Sequence, residues 1–155
     1  MAFDAAAIDE TFLMSNMSPQ LPAFNAGIWR ELEECTRDWG RKFERLYVAT
    51  GPVLTQTPLT TIGFSKVTVP AAYYKVLYAP EPHKAIAFVM PNAVSTRPVM
   101  DYAVSIDQVE ELTGIDFFPG LLKGLDEEIE ASLDKSAWPV DRQRYKKRVD
   151  EWNEK

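Results

Sequence analysis

Residues 26–45 carry mostly apolar side chains at spacings of three and four, the pattern of a helix with one buried side. The recurring positions are Ile28, Trp29, Leu32, Cys35, Thr36, Trp39 and Phe43. At about 100° per residue, most of these positions fall on one side of an α-helix, which predicts a helix from about Ala26 to Arg45. The same spacing directs Asn25 towards the buried side, at the N-terminal end of the helix.

Short apolar and β-branched stretches follow this helix and are predicted to be strands. They are Leu46–Thr50, "KVTVP", "YYKVLYAP" and "AIAFVMPN", with an earlier strand in "TFLMSN" that places Phe12 and Met14 on one face. Gly51-Pro52 is expected to end the first of them. One long helix followed by several strands indicates an α+β fold with a mostly antiparallel sheet.

Peripheral helices are predicted beyond the strands. Ser105 and Gln108 form a capping signal, and the helix that they open should end at Gly114. The acidic segment "LDEEIEASL" and the charged terminal segment "DRQRYKKRVDEWNEK" are also expected to be helical. The basic run within the terminal segment could touch nucleic acid, but the acidic residues that follow it favour a solvated helix.

The length of 155 residues suits one domain, here assigned to residues 1–140 with 141–155 as a charged helix or tail. The formal charge of −6 argues against a protein coated by nucleic acid, but it is compatible with an enzyme that grips a short stretch of backbone. No apolar run approaches the roughly 18 residues of a membrane span. The opening "MAFDAAAIDETF" has no basic residue, so no secretory signal is expected, and a lone Cys35 excludes an intrachain disulfide.

Five blocks occur in order between Ile8 and Leu121: "ETFLMSNMSPQ…FNAGIW…LE…R", "YVATGPVL", "VTVPAAYYKVLY", "FVMPN" and "YAVSIDQVEELTGIDFFPGL". Together they resemble the DNA/RNA non-specific endonucleases of the ββα-metal superfamily (endonuclease G-like, bacterial type). The resemblance implies a mostly antiparallel central sheet, a long metal-site helix and peripheral helices, with the N-terminal part missing. It also implies metal-dependent hydrolysis of phosphodiester bonds in DNA and RNA.

The resemblance assigns roles to three matched positions. Asn25 matches the only direct protein ligand of the catalytic Mg²⁺, for which Mn²⁺ is the alternative metal. Glu33 matches the acidic residue that orients metal-bound waters, and Arg37 matches a basic residue implicated in phosphate contact. These residue types suit the chemistry, because Mg²⁺ keeps most of its waters and an arginine fork fits phosphate oxygens. Arg30 and Arg41 join Arg37 as candidate contacts to the nucleic-acid backbone.

One part of the family pattern is absent from this sequence. The family's general base is a histidine in an Asp-Arg-Gly-His-like motif that lies upstream of the first matched block. The only histidine here is His83, in "APEPHKA", where it is expected to be a solvated turn residue. The chain therefore reads as truncated, lacking one of the two central strands of the ββα unit, and negligible cleavage is expected of it alone.

Simpler interpretations of these residues and of the function are also open. Asn25 could be an ordinary helix N-cap, and Glu33 with Arg37 could be a surface ion pair. The chain could be a non-catalytic module that binds nucleic acid or a partner, or a metallohydrolase centred on His83 and Glu81. Trp29 and Trp39 are expected in the core.

The expected partners are DNA and RNA, bound through their phosphates, and not a membrane. A homodimer and the preference between DNA and RNA stay open. The resemblance favours a periplasmic or secreted location.

Overall fold

The computed structural model describes residues 18–55, 60–121 and 126–153, without the side chains of residues 126, 127, 152 and 153. The early strand expected around Phe12 and Met14 lies outside the described residues. The described part is an α+β fold with antiparallel strand pairing, as the sequence predicts.

The long helix has a kink at Gly27, whose φ and ψ of −97° and −113° are not helical. It consists of α1 (Pro22–Phe24), the kinked segment Asn25–Trp29 and α2 (Arg30–Lys42). The strands are β1 (Tyr47–Val53), β2 (Thr60–Ile62), β3 (Val67–Val69), β4 (Ala72–Ala79), β5 (Lys84–Pro91) and β6 (Ala103–Val104). The remaining helices are α3 (Ile106–Thr113), α4 (Asp126–Glu130) and α5 (Arg142–Asn153), with 3₁₀ turns at Val99–Tyr102 and Lys135–Ala137.

A four-stranded antiparallel sheet in the order β1-β4-β5-β6 forms the centre of the described residues, and β2 pairs with β3 in a separate hairpin. Because side chains alternate along a strand, the central strand β4 supplies both faces of the sheet. Tyr73 and Leu77 pack in one apolar cluster with the long helix. Tyr74 and Val76 pack in a second cluster with α3. The long helix and α3 therefore cover opposite faces.

The long helix differs from its predicted bounds at both ends. It begins at Pro22, a residue suited to the first turn of a helix because its missing N–H would have no partner there. It ends at Lys42, because Phe43 leaves helical geometry and Glu44 takes a positive φ of 60°. The prediction of Ala26 to Arg45 is therefore wrong at the end by a few residues, and at the start it misses the helical turn that precedes the kink at Gly27.

Gly51-Pro52 does not end the first strand, which is a second error of the sequence prediction. β1 continues to Val53 and pairs with β4 throughout, Gly51 opposite Tyr74. A Cβ at Gly51 would lie 2.5 Å from the Tyr74 hydroxyl oxygen, so glycine is needed where this ring crosses the strand. Proline is tolerated in an edge strand, and β1 is at the edge of the described sheet.

The peripheral helices follow their sequence signals. The Ser105 hydroxyl accepts from the Gln108 backbone N–H, the Gln108 side chain accepts from the Ser105 N–H, and Gly114 ends α3 with φ of 71°. α5 forms as predicted, but it is not simply solvated, because Arg148 is only 5% exposed. In the parts of the chain that the structure describes, every helix is too short or too polar to cross a membrane.

Candidate functional site

The start of the long helix is tied to the sheet by one buried amide. Asn92, directly after β5, accepts from the Leu21 N–H at 2.9 Å through Oδ1. Its Nδ2 donates to the carbonyl oxygens of Pro19 and Pro70 at 3.2 and 3.1 Å. The Tyr73 hydroxyl donates to the Pro19 carbonyl at 2.9 Å. These bonds hold the loop that leads into the helix against the ends of β4 and β5.

Asn25 lies on the outside of the long helix. Its side chain is exposed, whereas Phe24 beside it is fully buried, so the expectation that Asn25 points to the buried side is wrong. The N-cap reading is not realised either, because the helix begins at Pro22 and Leu21 is its N-cap residue. Among the described residues, the Asn25 amide has no hydrogen-bond partner. The amide is therefore free to bind a ligand.

Glu33 and Arg37 share one flank of α2, here called the outer side, and come eight and twelve positions after Asn25. Glu33 is half-buried and Arg37 is exposed. They do not form the ion pair that the plainer reading expected, and within the described residues no other charged group pairs with either of them at 4 Å or less. The helix thus presents an amide, a carboxylate and a guanidinium, none of them bound to an opposite charge in the described part of the chain.

Lys75 is a further polar group beside this surface, and the sequence analysis does not single it out. It lies on the face of β4 that carries Tyr73 and Leu77 and is only 6% exposed. Its Nζ donates to Thr50 Oγ1 at 2.8 Å and lies 4.8 Å from the centre of the Trp29 ring. Burial lowers the pKa of Lys75, and the Glu33 carboxylate opposes that shift by raising it. The Lys75 amine therefore lies close to the segment that joins Trp29 to Glu33. The sequence signal for Lys75 was a lysine within an otherwise apolar and aromatic strand segment.

Arg30 and Arg41 are exposed, as the sequence predicts, and each has a carboxylate partner on its own helix. Arg30 Nε lies 3.2 Å from Glu34, and Arg41 Nη1 lies 3.0 Å from Asp38. Such exposed pairs contribute only about 0.2–1 kcal/mol, so they hold the arginine side chains weakly. Both guanidinium groups remain available to a phosphate.

The side of the long helix next to these arginines is covered by α5. Arg148 forms a buried ion pair with Glu31 and also donates to the backbone carbonyls of Ser95 and Arg97. Arg144 lies 2.6 Å from Asp38. A cavity of about 190 Å³ remains between the two helices and is lined by both partners of the buried pair.

A family model matches most of the chain. The family model described as "DNA/RNA non-specific endonuclease" matches residues 1–124. The chain belongs to the DNA/RNA non-specific endonuclease family. The resemblance seen in the sequence is thereby confirmed.

Named relatives within the family are nucleases. The chain is 32% identical to human mitochondrial endonuclease G over 130 residues, which is 75% of this chain and 44% of that protein. It is 36% identical to nuclease C1 of Cunninghamella echinulata var. echinulata (74% of this chain, 51% of that protein) and to human mitochondrial nuclease EXOG (77% and 37%). A solved EndoG chain, from a complex titled for EndoG inhibition, superimposes with a TM-score of 0.64 at 33% identity, over 72% of this chain and 52% of that one. The chain thus spans about half the length of these family members or less.

The single histidine of this family member lies away from the helix surface just described. His83 is exposed in the β4–β5 turn with φ of 57°, and its Nδ1 lies 3.3 Å from the Tyr78 hydroxyl. Tyr73, at the other end of β4, stacks on Phe24 with ring centres 5.5 Å apart. At about 3.3 Å per residue, the strand from Tyr73 to Ala79 separates the two ends by about 20 Å. His83 is therefore too far away to serve Asn25.

A cluster of three acidic residues lies on the face of the sheet opposite the long helix. Oxygens of Asp107, Glu110 and Glu130 come within 4.8 Å of one another on α3 and α4. Among the described residues, the metal-capable clusters of three or more acidic, histidine or cysteine groups do not include His83, so the metallohydrolase reading with Glu81 gains no support.

Proposed function

We propose that this chain is the metal- and phosphate-binding portion of a sugar-non-specific endonuclease that hydrolyses phosphodiester bonds in DNA and RNA. The observation that carries the proposal is the exposed amide of Asn25, without a partner in the described residues, at the start of the helix that also carries Glu33 and Arg37. Membership of the DNA/RNA non-specific endonuclease family supplies the class of substrate.

The donor set fits a hydrated magnesium ion. Mg²⁺ prefers oxygen ligands, keeps several waters, and is usually held by only one or two protein groups. The Asn25 amide oxygen would be its direct ligand, and the half-buried Glu33 carboxylate would accept hydrogen bonds from waters on the ion. When bound, the ion stabilises negative charge on the phosphate during hydrolysis. Mn²⁺, which has similar oxygen preferences, is the practical substitute in experiments.

The side chains of this chain then bind and orient the nucleic acid. Arg37, which has no ion pair in the described residues, would hold a phosphate oxygen through its planar fork. Arg30 and Arg41, whose surface pairs are weak, would exchange their carboxylates for neighbouring phosphates. All of these contacts go to the backbone, so little dependence on base sequence is expected.

The base that activates the attacking water is not the histidine of this chain, because His83 lies at the far end of β4. We therefore propose that the intact nuclease takes its base from residues outside this sequence. The chain by itself should bind the metal and nucleic acid but cleave negligibly.

Metal binding by the purified chain is the direct test. Free Mn²⁺ would be measured by electron paramagnetic resonance with the parent, with Asn25→Ala, and with Gln143→Ala as an exposed-amide control on α5. The parent and the control should bind one ion with similar affinity, and Asn25→Ala should lose that site. Equal binding by all three would remove Asn25 from the metal site.

Plasmid digestion tests the proposal that the chain by itself cleaves negligibly. With Mg²⁺ or Mn²⁺ present, the chain should leave supercoiled plasmid intact. Efficient nicking that is abolished by Asn25→Ala would reveal a base within this sequence and overturn the proposed division of the site.

A non-catalytic binding module is the second candidate, and the distance between His83 and Asn25 is what favours it. An electrophoretic shift assay distinguishes the two. Three results together would favour the module. Nucleic-acid binding would weaken with salt, it would be unaffected by chelation of the metal, and Asn25 would show no Mn²⁺ site.

A further inference from the structure

The hairpin of β2 and β3 stands apart from the central sheet and is here called the arm. Within the described residues its two strands pair only with each other, Thr60 opposite Val69 and Ile62 opposite Val67. Residues 60–67 are all exposed. The described part of the chain therefore leaves the outer end of the arm open to a ligand.

A fully exposed aromatic ring lies at the tip of the arm. The turn at residues 63–66 joins the two strands, and the Lys66 N–H donates to the Gly63 carbonyl oxygen across it at 3.2 Å. Phe64 follows Gly63 in this turn and is as exposed as in an isolated peptide (105%). It is the most exposed of the large apolar side chains in the described residues. Covering this ring would remove apolar surface from water without disturbing the core.

The arm also lies in a stretch of sequence without acidic residues. No aspartate or glutamate occurs between Glu44 and Glu81, although the chain has 23 of them. Lys66 is exposed and has no ion pair in the described residues. Exposed hydroxyl groups, which often donate to phosphate and sugar oxygens, are present at Thr60, Thr61 and Ser65. The charge and polarity of the arm therefore suit a polyanion.

The base of the arm is fixed beside the start of the long helix. The Pro70 carbonyl oxygen, directly after β3, accepts from Asn92 Nδ2 at 3.1 Å. Asn92 Oδ1 accepts from the Leu21 N–H at 2.9 Å. Lys66 is four strand residues, about 13 Å, from Pro70. Asn25 is four residues, about 6 Å of helical rise, beyond Leu21. Counted through these contacts, the tip lies within about 35 Å of the candidate metal ligand, about ten nucleotides at about 3.4 Å each.

We propose that Phe64 stacks on an unpaired base of single-stranded DNA or RNA and that Lys66 contacts a neighbouring phosphate. An aromatic ring can stack on any base, so the contact requires no particular sequence. A base inside a duplex has both faces covered by its neighbours, so the arm should favour unpaired strands. This inference deepens the function proposed above and rests on it, because nucleic acid must be the substrate.

Binding of single strands in the presence of a chelator tests the stacking without metal or cleavage. The full chain would be titrated into oligonucleotides of about 14 nucleotides, which can span the distance from the tip to Asn25. They would carry 2-aminopurine, a base whose fluorescence is quenched when it stacks. The parent should quench this fluorescence. Phe64→Ala should abolish the quenching and lower the affinity by about fivefold or more.

Matched variants separate stacking from general apolar contact. Phe64→Trp keeps an aromatic face and should bind within about twofold of the parent, whereas Phe64→Leu should bind as weakly as Phe64→Ala. Ile62→Ala, at a half-exposed position of the same arm, should change the affinity less than about twofold. Because these side chains are exposed, the melting temperature should stay the same in all four variants.

Two further measurements examine the preference for single strands and the phosphate contact. Phe64→Ala should change the affinity for a duplex of the same sequence less than about twofold. Lys66→Met should lower the slope of log affinity against log salt for single strands by about 0.7, the value for one phosphate contact. An unchanged slope would remove Lys66 from the proposed contact.

Equal affinity of the parent and Phe64→Ala for single strands would overturn the proposal and leave the proposed nuclease function standing. Parent-like binding by Phe64→Leu would overturn it too, because apolar contact would then suffice. If Phe64→Ala converts a dimer to a monomer in sedimentation velocity without changing single-strand affinity, the arm is an interface between copies of the chain and the proposal is wrong. If the parent binds no oligonucleotide, nucleic-acid binding fails as a whole, and the Mn²⁺ assay with Asn25→Ala decides the metal site separately.

Discussion

The two sides of the long helix carry similar charged residues but differ in whether those residues form ion pairs. On the side covered by α5, Glu31, Glu34 and Asp38 all have arginine partners. On the outer side, Glu33 and Arg37 have no such partner among the described residues. Charge alone therefore does not distinguish the structural side from the candidate site.

What distinguishes the two sides is whether the protein itself satisfies the charges. A buried carboxylate without its cation is costly, so the paired side holds the helices together. The outer side leaves Arg37 in water and Glu33 half-buried, and in the described residues neither is held by an opposite charge at ion-pair distance. Substitutions that break the contacts to α5 should change stability, and substitutions of Glu33 or Arg37 should change binding.

Arg148→Met should produce the largest loss of stability. It leaves Glu31 buried without a partner, and breaking such a pair costs about 3–5 kcal/mol. The free energy of unfolding from urea titration measures this. Arg142→Met, at an exposed position of the same helix, should have little effect, and adding Glu31→Leu to Arg148→Met should restore much of the loss. A loss equal to that of the control would contradict the structural role of the paired side.

Lys75→Met should have a smaller effect of the opposite sign. Burial lowers the pKa of Lys75, so its charge opposes folding, and methionine should increase the free energy of unfolding by about 1 kcal/mol. The parent regains stability as the pH rises through this lowered pKa towards the unfolded value of 10.5, so the gain should shrink there. Lys84→Met is the control, because Lys84 is only half-buried and is paired with Asp134. A loss of stability would mean that the bonds of Lys75 outweigh its burial.

Acid should weaken the paired side through Asp38. The hydrogen bond from Arg144 lowers the Asp38 pKa below its usual 3.8, so the contribution is present above pH 3.8 and is lost as the pH falls through the lowered pKa. Unfolding curves of the parent and of Asp38→Asn should converge over this acidic range. Parallel curves would show that the pair contributes nothing.

Arg37→Ala should change stability least. The side chain is exposed and has no ion pair in the described residues, so the urea midpoint should stay the same. The affinity for DNA should fall, and the slope of log affinity against log salt should decrease by about one. Arg45→Ala, another exposed arginine beyond the helix, tests whether the effect is local. A shifted midpoint would place Arg37 on the structural side.

The fold was largely predictable because its signals are local. The apolar spacing of the helix, the β-branched strands and the Ser105–Gln108 cap each act within a few residues. The direction of Asn25 was not predictable from a constant helical period, because the helix is kinked at Gly27 and a single glycine is the sequence hint. Lys75 and Arg148 were missed because their partners lie 25 and 117 residues away. The matched blocks supplied the family but not these contacts.

The start of the long helix depends on the chemical identity of the Asn92 amide. Deamidation would convert Nδ2, which now donates to two carbonyl oxygens, into a carboxylate oxygen that those carbonyls repel. This loss of two hydrogen bonds, caused by a change of one dalton in mass, would release the loop before Pro22 and loosen the helix start from the sheet. Storage history therefore belongs among the variables of any assay on this nuclease.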